Sequence, residues 1–149
     1  MDFEGLMRVP GRAYTHPYES SYSNRNRSET REKWAGLCGP QTQEVEGLYR
    51  EEGLAPRYDH VDFADHIGAE LAFMAHLCRK TAEATRSKQA DRADDLLSKQ
   101  KQFAQHHLMT WAEDFSAQLK ARAATPYFQA VAAMLFAFVE AEKGQLAVP

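Results

Sequence analysis

The sequence predicts an all-α protein, and two observations support this prediction. In every segment after residue 41, apolar residues recur at spacings of three or four, the period of an amphipathic helix. A β-strand would need polar and apolar residues in alternation, and no such run extends beyond a few residues. At 149 residues the chain is long enough to form one helical bundle around a single core.

Composition narrows the class of protein. A formal net charge of −3 provides no overall attraction for nucleic acid, so no nucleic-acid partner is predicted. No apolar run reaches the roughly 18 residues of a membrane span, so no membrane insertion is predicted. Residues 1–12 lack the pattern of a secretory signal, and the two cysteines, Cys38 and Cys78, form no metal-site or disulfide pattern. A reduced, cytoplasmic protein is expected.

The chain divides near residue 40. Residues 1–40 are rich in Gly, Pro, Ser, Asn and Arg, and we expect an irregular arm there. The arginines of this arm, Arg25, Arg27 and Arg31, are diluted by carboxylates and are interpreted as a solvated loop. Residues 41–149 are expected to form one helical unit.

Four helices are predicted in that unit. The first covers residues 41–52 and ends at Gly53, with Pro56 beyond it. The second covers 61–86. The third covers 90–122 and is too long to continue without a break, which we expect between residues 107 and 111. The fourth begins at Thr125-Pro126 and ends at Gly144. The predicted core consists of Ile67, Leu71, Met74, Leu97, Phe103, Leu108, Phe115, Val131, Leu135 and Phe138.

The second helix has an unusual mixture of side chains. Ile67, Leu71, Met74 and Cys78 share one face, as expected for core packing. A neighbouring stripe is polar at its N-terminal half and apolar at its C-terminal half, and consists of Asp62, His66, Glu70, Phe73 and Leu77. This stripe has two interpretations. It is either the wall of a binding groove or a surface helix whose acidic first turn complements the helix dipole.

Catalysis finds no support in the sequence. A di-iron bundle needs Glu-x-x-His pairs and a zinc protease needs His-Glu-x-x-His, and the chain has neither. No glycine-rich phosphate loop is present, and no cofactor is predicted. Trp111 and His107 share an apolar helix face, so both are interpreted as packing residues.

Four segments, taken together, resemble the TorD/DmsD family of redox-enzyme maturation chaperones, which are cytosolic and all-helical. They are Pro17-Tyr18-Glu19-Ser20-Ser21-Tyr22; Asp62-Phe63-Ala64-Asp65-His66 with Glu70-Leu71-Ala72-Phe73-Met74; Phe103, His107-Leu108, Trp111 and Phe115; and Pro126-Tyr127-Phe128. The resemblance implies a helical bundle of the TorD type.

The chain departs from the family pattern at three places. Asp62 replaces the family's Glu, and Ala64 replaces its Pro, so the loop is expected to be less rigid. About sixteen residues precede the Pro17 segment, where family members have several helices. The bundle is therefore expected to be N-terminally shortened, and a homodimer or domain-swapped oligomer is predicted to cover the exposed apolar surface.

The resemblance implies a chaperone function without catalysis. The partner would be the catalytic subunit of a molybdenum-cofactor oxidoreductase, bound through its twin-arginine signal peptide, with assistance to cofactor insertion and delay of export. Asp62, Asp65 and Glu70 would meet the arginines, His66 would lie beside them, and Phe73 and Leu77 would contact the apolar part of the signal. The alternatives are a helical protein-interaction or scaffold module with no signal-peptide role and, less favoured, a metal-binding helical-bundle enzyme.

Overall fold

The computed structural model describes residues 3–23, 39–55 and 63–146 of the chain. Within these residues it contains a π-helical turn at Glu4–Arg8 and six α-helices, and no β-strand is present in this part of the chain. The all-α class predicted from the sequence is confirmed. The helices are α1 (Ser20–Ser23), α2 (Pro40–Glu51), α3 (Ile67–Arg86), α4 (Ala90–Phe103), α5 (Met109–Arg122) and α6 (Pro126–Leu146).

Two helix pairs form the bundle. Helix α3 packs along α4, and α5 packs along α6. A π-helical segment, Ala104–Leu108, joins α4 to α5. The break that the sequence predicts in the third helix is therefore present, although it lies slightly earlier than expected. His107 and Leu108 are buried within it, and a π-helical insertion of this kind changes which side chains face the core on either side of it.

The helix ends show what the local sequence specifies. Helix α2 starts with Pro40 at its first position, and Gly53 follows it with a φ of 75°, the left-handed conformation that glycine adopts readily at a helix C-terminus. Helix α3 begins at Ile67 with His66 as its N-cap, whereas the sequence predicted a start near residue 61. Gly144 was wrongly predicted to end the last helix, which continues to Leu146. Gly144 has no positive φ and so forms no such cap.

The core is mostly the one predicted, with one clear error. Leu97 is 44% exposed, whereas its neighbour Leu96 is buried, so the inward face of α4 is one residue away from the predicted one. Leu71, Val131 and Phe138 are partly buried against the core. The other predicted core residues are buried and pack in one cluster: Ile67, Met74, Phe103, Leu108, Phe115 and Leu135.

The described part of the predicted arm packs against the helices. Leu6 is fully buried, and its carbonyl accepts a hydrogen bond of 2.7 Å from the Thr15 amide. The Arg122 guanidinium of α5 donates to the carbonyl of Tyr14. Residues 24–38, with Arg25, Arg27, Arg31 and Cys38, lie outside the described residues. A division of the chain at residue 40 stays a prediction.

Among the described residues, no helix combines the length and the apolar character needed to cross a membrane.

Candidate functional site

Two distant chain segments lie side by side at the N-terminal end of α3. The Ile67 amide donates to the Pro17 carbonyl at 2.9 Å, and the Glu19 amide donates to the Asp65 carbonyl at 3.0 Å. These bonds form an antiparallel bridge between Tyr18 and His66. The Pro17 segment and the Asp65-His66 turn, which the sequence singled out separately, therefore form one junction.

The side chain of Asp65 stabilises this junction through a hydrogen bond. Its Oδ2 atom accepts a hydrogen bond of 2.9 Å from the Ser20 amide, at the start of α1. The carboxylate is fully buried, and its Oδ1 atom has no hydrogen-bond partner among the described residues. An amide hydrogen bond to a charged acceptor is stronger than a neutral one. Asp65 therefore acts as a remote cap that holds the arm against α3.

His66 lies at the surface of the junction. Its Nδ1 atom accepts a hydrogen bond of 3.0 Å from the Gly68 amide, which satisfies one of the open donors at the start of α3. Because Nδ1 is an acceptor, the ring proton of the neutral side chain lies on Nε2. The imidazole is half-buried, and its ring meets the Tyr18 ring edge to face at 5.3 Å.

Two further carboxylates lie buried beneath the junction. Glu19 is 2% exposed, and its Oε2 atom lies 3.0 Å from Nδ1 of His107 in the π-helical segment. Glu70 is fully buried, and its Oε2 atom accepts a hydrogen bond of 3.1 Å from the Trp111 indole. Polar side chains in the interior thus join the arm to the π-helical segment, and α3 to α5.

Electrostatics favour a proton on Glu70. Burial raises the pKa of Glu70 well above its usual value, and the nearby charges of Glu19 and Asp65 raise it further, while the Trp111 hydrogen bond opposes them. Burial also raises the pKa of the Tyr49 hydroxyl, with Glu70 as the next contributor. That hydroxyl donates to the Ala64 carbonyl at 3.0 Å, beside the same junction. A protonated Glu70 fits an interior with several carboxylates and few cations.

The predicted binding residues differ in accessibility. Asp62 lies outside the described residues. Among the five that the structure describes, Asp65, Glu70, Phe73 and Leu77 are buried, and His66 is partly accessible. Neither interpretation of this stripe, an open groove wall or a surface helix with an acidic first turn, describes its buried residues on α3. The reason is packing: Phe73 meets Phe103 and Tyr49 with ring centroids 4.8 Å apart in both cases. A role for these residues in peptide binding stays a prediction.

Sequence reasoning missed the partners of two residues. His107 was interpreted as a packing residue, and the structure pairs it with a carboxylate 88 positions earlier. Trp111 packs as predicted, at 5.3 Å from the Tyr22 ring and 5.5 Å from the Phe115 ring, and it also binds Glu70. The useful signal was the joint occurrence of the four family-like segments, since each of these polar contacts connects two of them.

Within the described residues, no three His, Cys, Asp or Glu side chains are arranged to hold a metal ion.

Comparison with known proteins places this arrangement in a family. Residues 1–117 match the family model described as nitrate reductase delta subunit. A chaperone protein TorD of Shewanella loihica is 30% identical over 131 residues, covering 88% of this chain and 54% of that protein. A perchlorate reductase assembly chaperone protein of Dechloromonas aromatica is 32% identical over 139 residues, covering 93% and 55%. A TorD of Colwellia psychrerythraea is 25% identical over 158 residues, covering 95% and 61%.

No solved structure matches the chain significantly. The chain spans between 54% and 61% of the length of these three relatives, whose names are those of chaperones and not of catalytic enzymes. The family model covers well over half of the chain, and it includes the three family-like segments that meet at the buried network. The chain therefore belongs to the nitrate reductase delta subunit family, to which the TorD chaperones belong.

Proposed function

We propose that this chain is a cytoplasmic chaperone for the catalytic subunit of a molybdenum-cofactor oxidoreductase. It binds the apo form of that subunit and its twin-arginine signal peptide, which assists cofactor insertion and delays export. The observation that carries the proposal is the likeness, over 93% of the chain, to a protein named as a reductase assembly chaperone. The resemblance to TorD/DmsD proteins supports the same partner.

The junction between Tyr18 and His66 supports a binding function. A recognition surface is most effective when its residues are held in place in advance of ligand binding. Here the Pro17 carbonyl accepts a hydrogen bond from the Ile67 amide, and the Glu19 and Ser20 amides donate to Asp65, which holds the arm against the start of α3. The surface imidazole and its aromatic neighbour are held by this framework, and no bond-making chemistry is needed for the proposed role.

The predicted binding residues take different roles in this proposal. His66 makes direct contact with the signal peptide, together with the carboxylate of Asp62. Asp65 and Glu70 are buried, so they position the junction and do not touch the arginines. Leu77 is fully buried and supports the helix from its inner side, whereas Phe73 is mostly buried and keeps one edge at the surface.

A labelled synthetic signal peptide tests the proposal directly. The peptide carries two consecutive arginines followed by an apolar stretch, and fluorescence anisotropy measures its binding to the whole chain. The control peptide has both arginines replaced by glutamate. Saturable binding of the arginine peptide, with at least ten-fold weaker binding of the control, is expected. Equal binding of both peptides would support a general interaction module, and no binding of either would overturn the signal-peptide role.

A second copy of the chain is the proposed partner for the outer face of α6. No charged residue occurs between Pro126 and Val139, yet Tyr127 is 70% and Met134 is 73% exposed. A helix that is apolar on all sides is normally covered. The exposed stripe is self-complementary: in an antiparallel pair crossing at Met134, the large Tyr127 lies opposite the small Ala141 of the second copy. The proposed assembly is therefore a homodimer.

A further inference from the structure

A cavity of about 480 Å³ opens between α2 and the end of α4. Its volume falls within the roughly 300–1,000 Å³ of ligand pockets in proteins. Leu48, Phe73 and Phe103 provide an apolar floor, and His106 is exposed at the side of the π-helical segment. Phe73 thus has one edge toward this cavity although most of its surface is buried in the core.

The described lining of the cavity has more negative than positive charge, with three carboxylates and one lysine, Lys99. Glu44 and Glu51, on the α2 rim of the cavity, are both exposed, and neither forms an ion pair or side-chain hydrogen bond with a described residue, although the charge of Glu51 acts on Lys99. Glu44 and Glu51 are seven residues apart, or about 10 Å along the helix. By contrast, the other lining carboxylate, Glu52, is bound by Lys80 and Lys99 at 2.6 Å each.

Gly47 lies between these two carboxylates and also lines the cavity. Glycine inside a helix is less favourable than alanine by about 1 kcal/mol. A Cβ atom built at Gly47 would meet no atom within 4 Å, so packing of the described residues does not require glycine there. The open space over Gly47 leaves room for the backbone of a bound segment to approach α2 closely.

We infer that this cavity binds the basic-to-apolar junction of the signal peptide. Cationic side chains lie against Glu44 and Glu51, and the first apolar side chains enter over Phe73 and Phe103. The inference rests on the proposed signal-peptide function and gives it a second contact surface, separate from the Tyr18–His66 junction. Charge complementarity selects this occupant, because an apolar floor behind an excess of carboxylates suits a segment that is basic at one end and apolar at the other.

The test of the charged rim uses the double variant Glu44→Gln with Glu51→Gln. Partly exposed ion pairs contribute about 0.2–1 kcal/mol each, so the loss of two of them should weaken binding of the labelled twin-arginine peptide about two- to thirty-fold. The matched control is Glu83→Gln with Asp114→Asn, which changes the net charge equally at exposed positions away from the cavity lining. The control variant should bind as the wild type does.

The test of the apolar interior uses Gly47→Leu and, for comparison, Gly47→Ala. Leucine would occupy the cavity and is expected to weaken peptide binding at least ten-fold, whereas alanine, which adds a single methyl group, should weaken it by a smaller factor. Both variants should melt at or above the wild-type temperature because they remove a helix glycine. A lower melting temperature for Gly47→Leu would indicate a packing role and count against the cavity as a site.

The outcomes separate this inference from the function on which it rests. If the wild type binds the peptide but the rim variant and Gly47→Leu bind it equally well, the cavity assignment is wrong and the signal-peptide function stands. If the wild type binds no twin-arginine peptide, the proposed function and this inference fall together. A loss of binding in the rim variant and in Gly47→Leu, with no fall in melting temperature and with wild-type binding by the Glu83→Gln, Asp114→Asn control, supports the cavity.

Discussion

Trp111 donates its indole hydrogen to Glu70, which is fully buried 41 positions earlier in the chain. The bond joins α5 to α3 at the centre of the bundle. Glu70 lies close enough to Glu19 and Asp65 for both charges to raise its pKa. The interior of this protein thus contains an acidic group that is favoured in its protonated form, and it lies directly under the proposed recognition junction.

The first prediction concerns Glu70→Gln. Because the pKa of Glu70 is raised in the folded state, its contribution to stability is fully present below the unfolded value of 4.5 and is lost as the pH rises. Glutamine imitates the protonated carboxyl group and can still accept the Trp111 hydrogen bond. The variant should therefore gain free energy of unfolding relative to wild type as the pH rises from 4 to 8, as measured by urea unfolding.

Glu70→Ala is the contrasting variant. It removes the acceptor of the Trp111 indole and leaves a cavity, so it should lower the free energy of unfolding by about 2–4 kcal/mol at pH 5. If Glu70→Gln instead loses stability relative to wild type as the pH rises, Glu70 is ionised in the folded protein and the proposed protonation is wrong.

The second prediction separates the two roles of His66. His66→Ala removes both the N-cap and the imidazole and should lower the free energy of unfolding by about 1 kcal/mol. His66→Asn keeps a capping side chain, so it should melt like wild type yet bind the twin-arginine peptide less tightly. Thermal melts together with peptide titrations measure the two effects. Wild-type peptide affinity in His66→Asn would contradict direct contact by the imidazole.

Asp65 behaves differently from His66 because it is buried. The family resemblance implied that Asp65 lies beside the arginines of the signal peptide. In the structure its carboxylate instead accepts a hydrogen bond from the Ser20 amide, and replacement of Asp65 by Ala removes that acceptor. We therefore expect a loss of about 1–3 kcal/mol in the free energy of unfolding for Asp65→Ala, with any loss of peptide binding following from the displaced arm. Peptide affinity must be compared at a temperature well below the melting transition of each variant.

The third prediction concerns acid stability through Glu52. Hydrogen bonds from Lys80 and Lys99 lower the pKa of Glu52 from 4.5 to about 2. A depressed carboxyl pKa stabilises the fold above the unfolded value, and that contribution is lost as the pH falls from about 4.5 toward 2. Glu52→Gln should lower the free energy of unfolding by about 1 kcal/mol at pH 6, and the difference should shrink as the pH falls.

Glu83→Gln serves as the control for Glu52, since Glu83 is exposed and its side chain forms no ion pair with a described residue. It should follow the wild-type curve at every pH. Stability curves of wild type and Glu52→Gln that stay parallel between pH 6 and pH 2 would show that the two lysines do not stabilise the ionised carboxylate.

The fourth prediction concerns self-association through the outer face of α6. Met134→Glu places a charge at the centre of the proposed dimer contact, where it would meet its own copy, and should shift the protein to monomers of 16.9 kDa. Sedimentation velocity at micromolar concentration measures the change. Ser98→Glu, at an exposed position on α4, should leave the dimer intact. If the wild type is monomeric, α6 forms no contact between copies and the proposed dimer is wrong.

Helical periodicity predicted the elements because it depends on local spacing alone. The end of α2 before Gly53 and the interruption before α5 follow from glycine and helix length, and the predicted start of α2 at residue 41 is one residue later than the observed start at Pro40. Gly144 shows the limit of such signals. A glycine caps a helix by adopting a positive φ, and Gly144 does not adopt one, so α6 continues to Leu146.

The interior network could not be predicted in the same way. Helical spacing assigned Glu70 to a face that was half polar and half apolar, and this pattern is shared by a groove wall and by a buried polar cluster. The deciding facts are the hydrogen bonds of Trp111 to Glu70 and of His107 to Glu19, which join distant segments. Because these contacts depend on how the helices pack against each other, they cannot be inferred from the spacing of residues along a single helix. At the level of sequence, only the resemblance to a family connects these segments.

The most direct test of the chaperone function is a titration of this chain with the purified apo precursor of a molybdoenzyme catalytic subunit from the same organism. Isothermal calorimetry compares the precursor carrying its twin-arginine signal with the same subunit lacking that segment. We predict saturable binding of the precursor at micromolar or lower concentration and binding at least ten-fold weaker once the signal is removed. Identical binding of the two forms, or no binding of either, would contradict the proposed function.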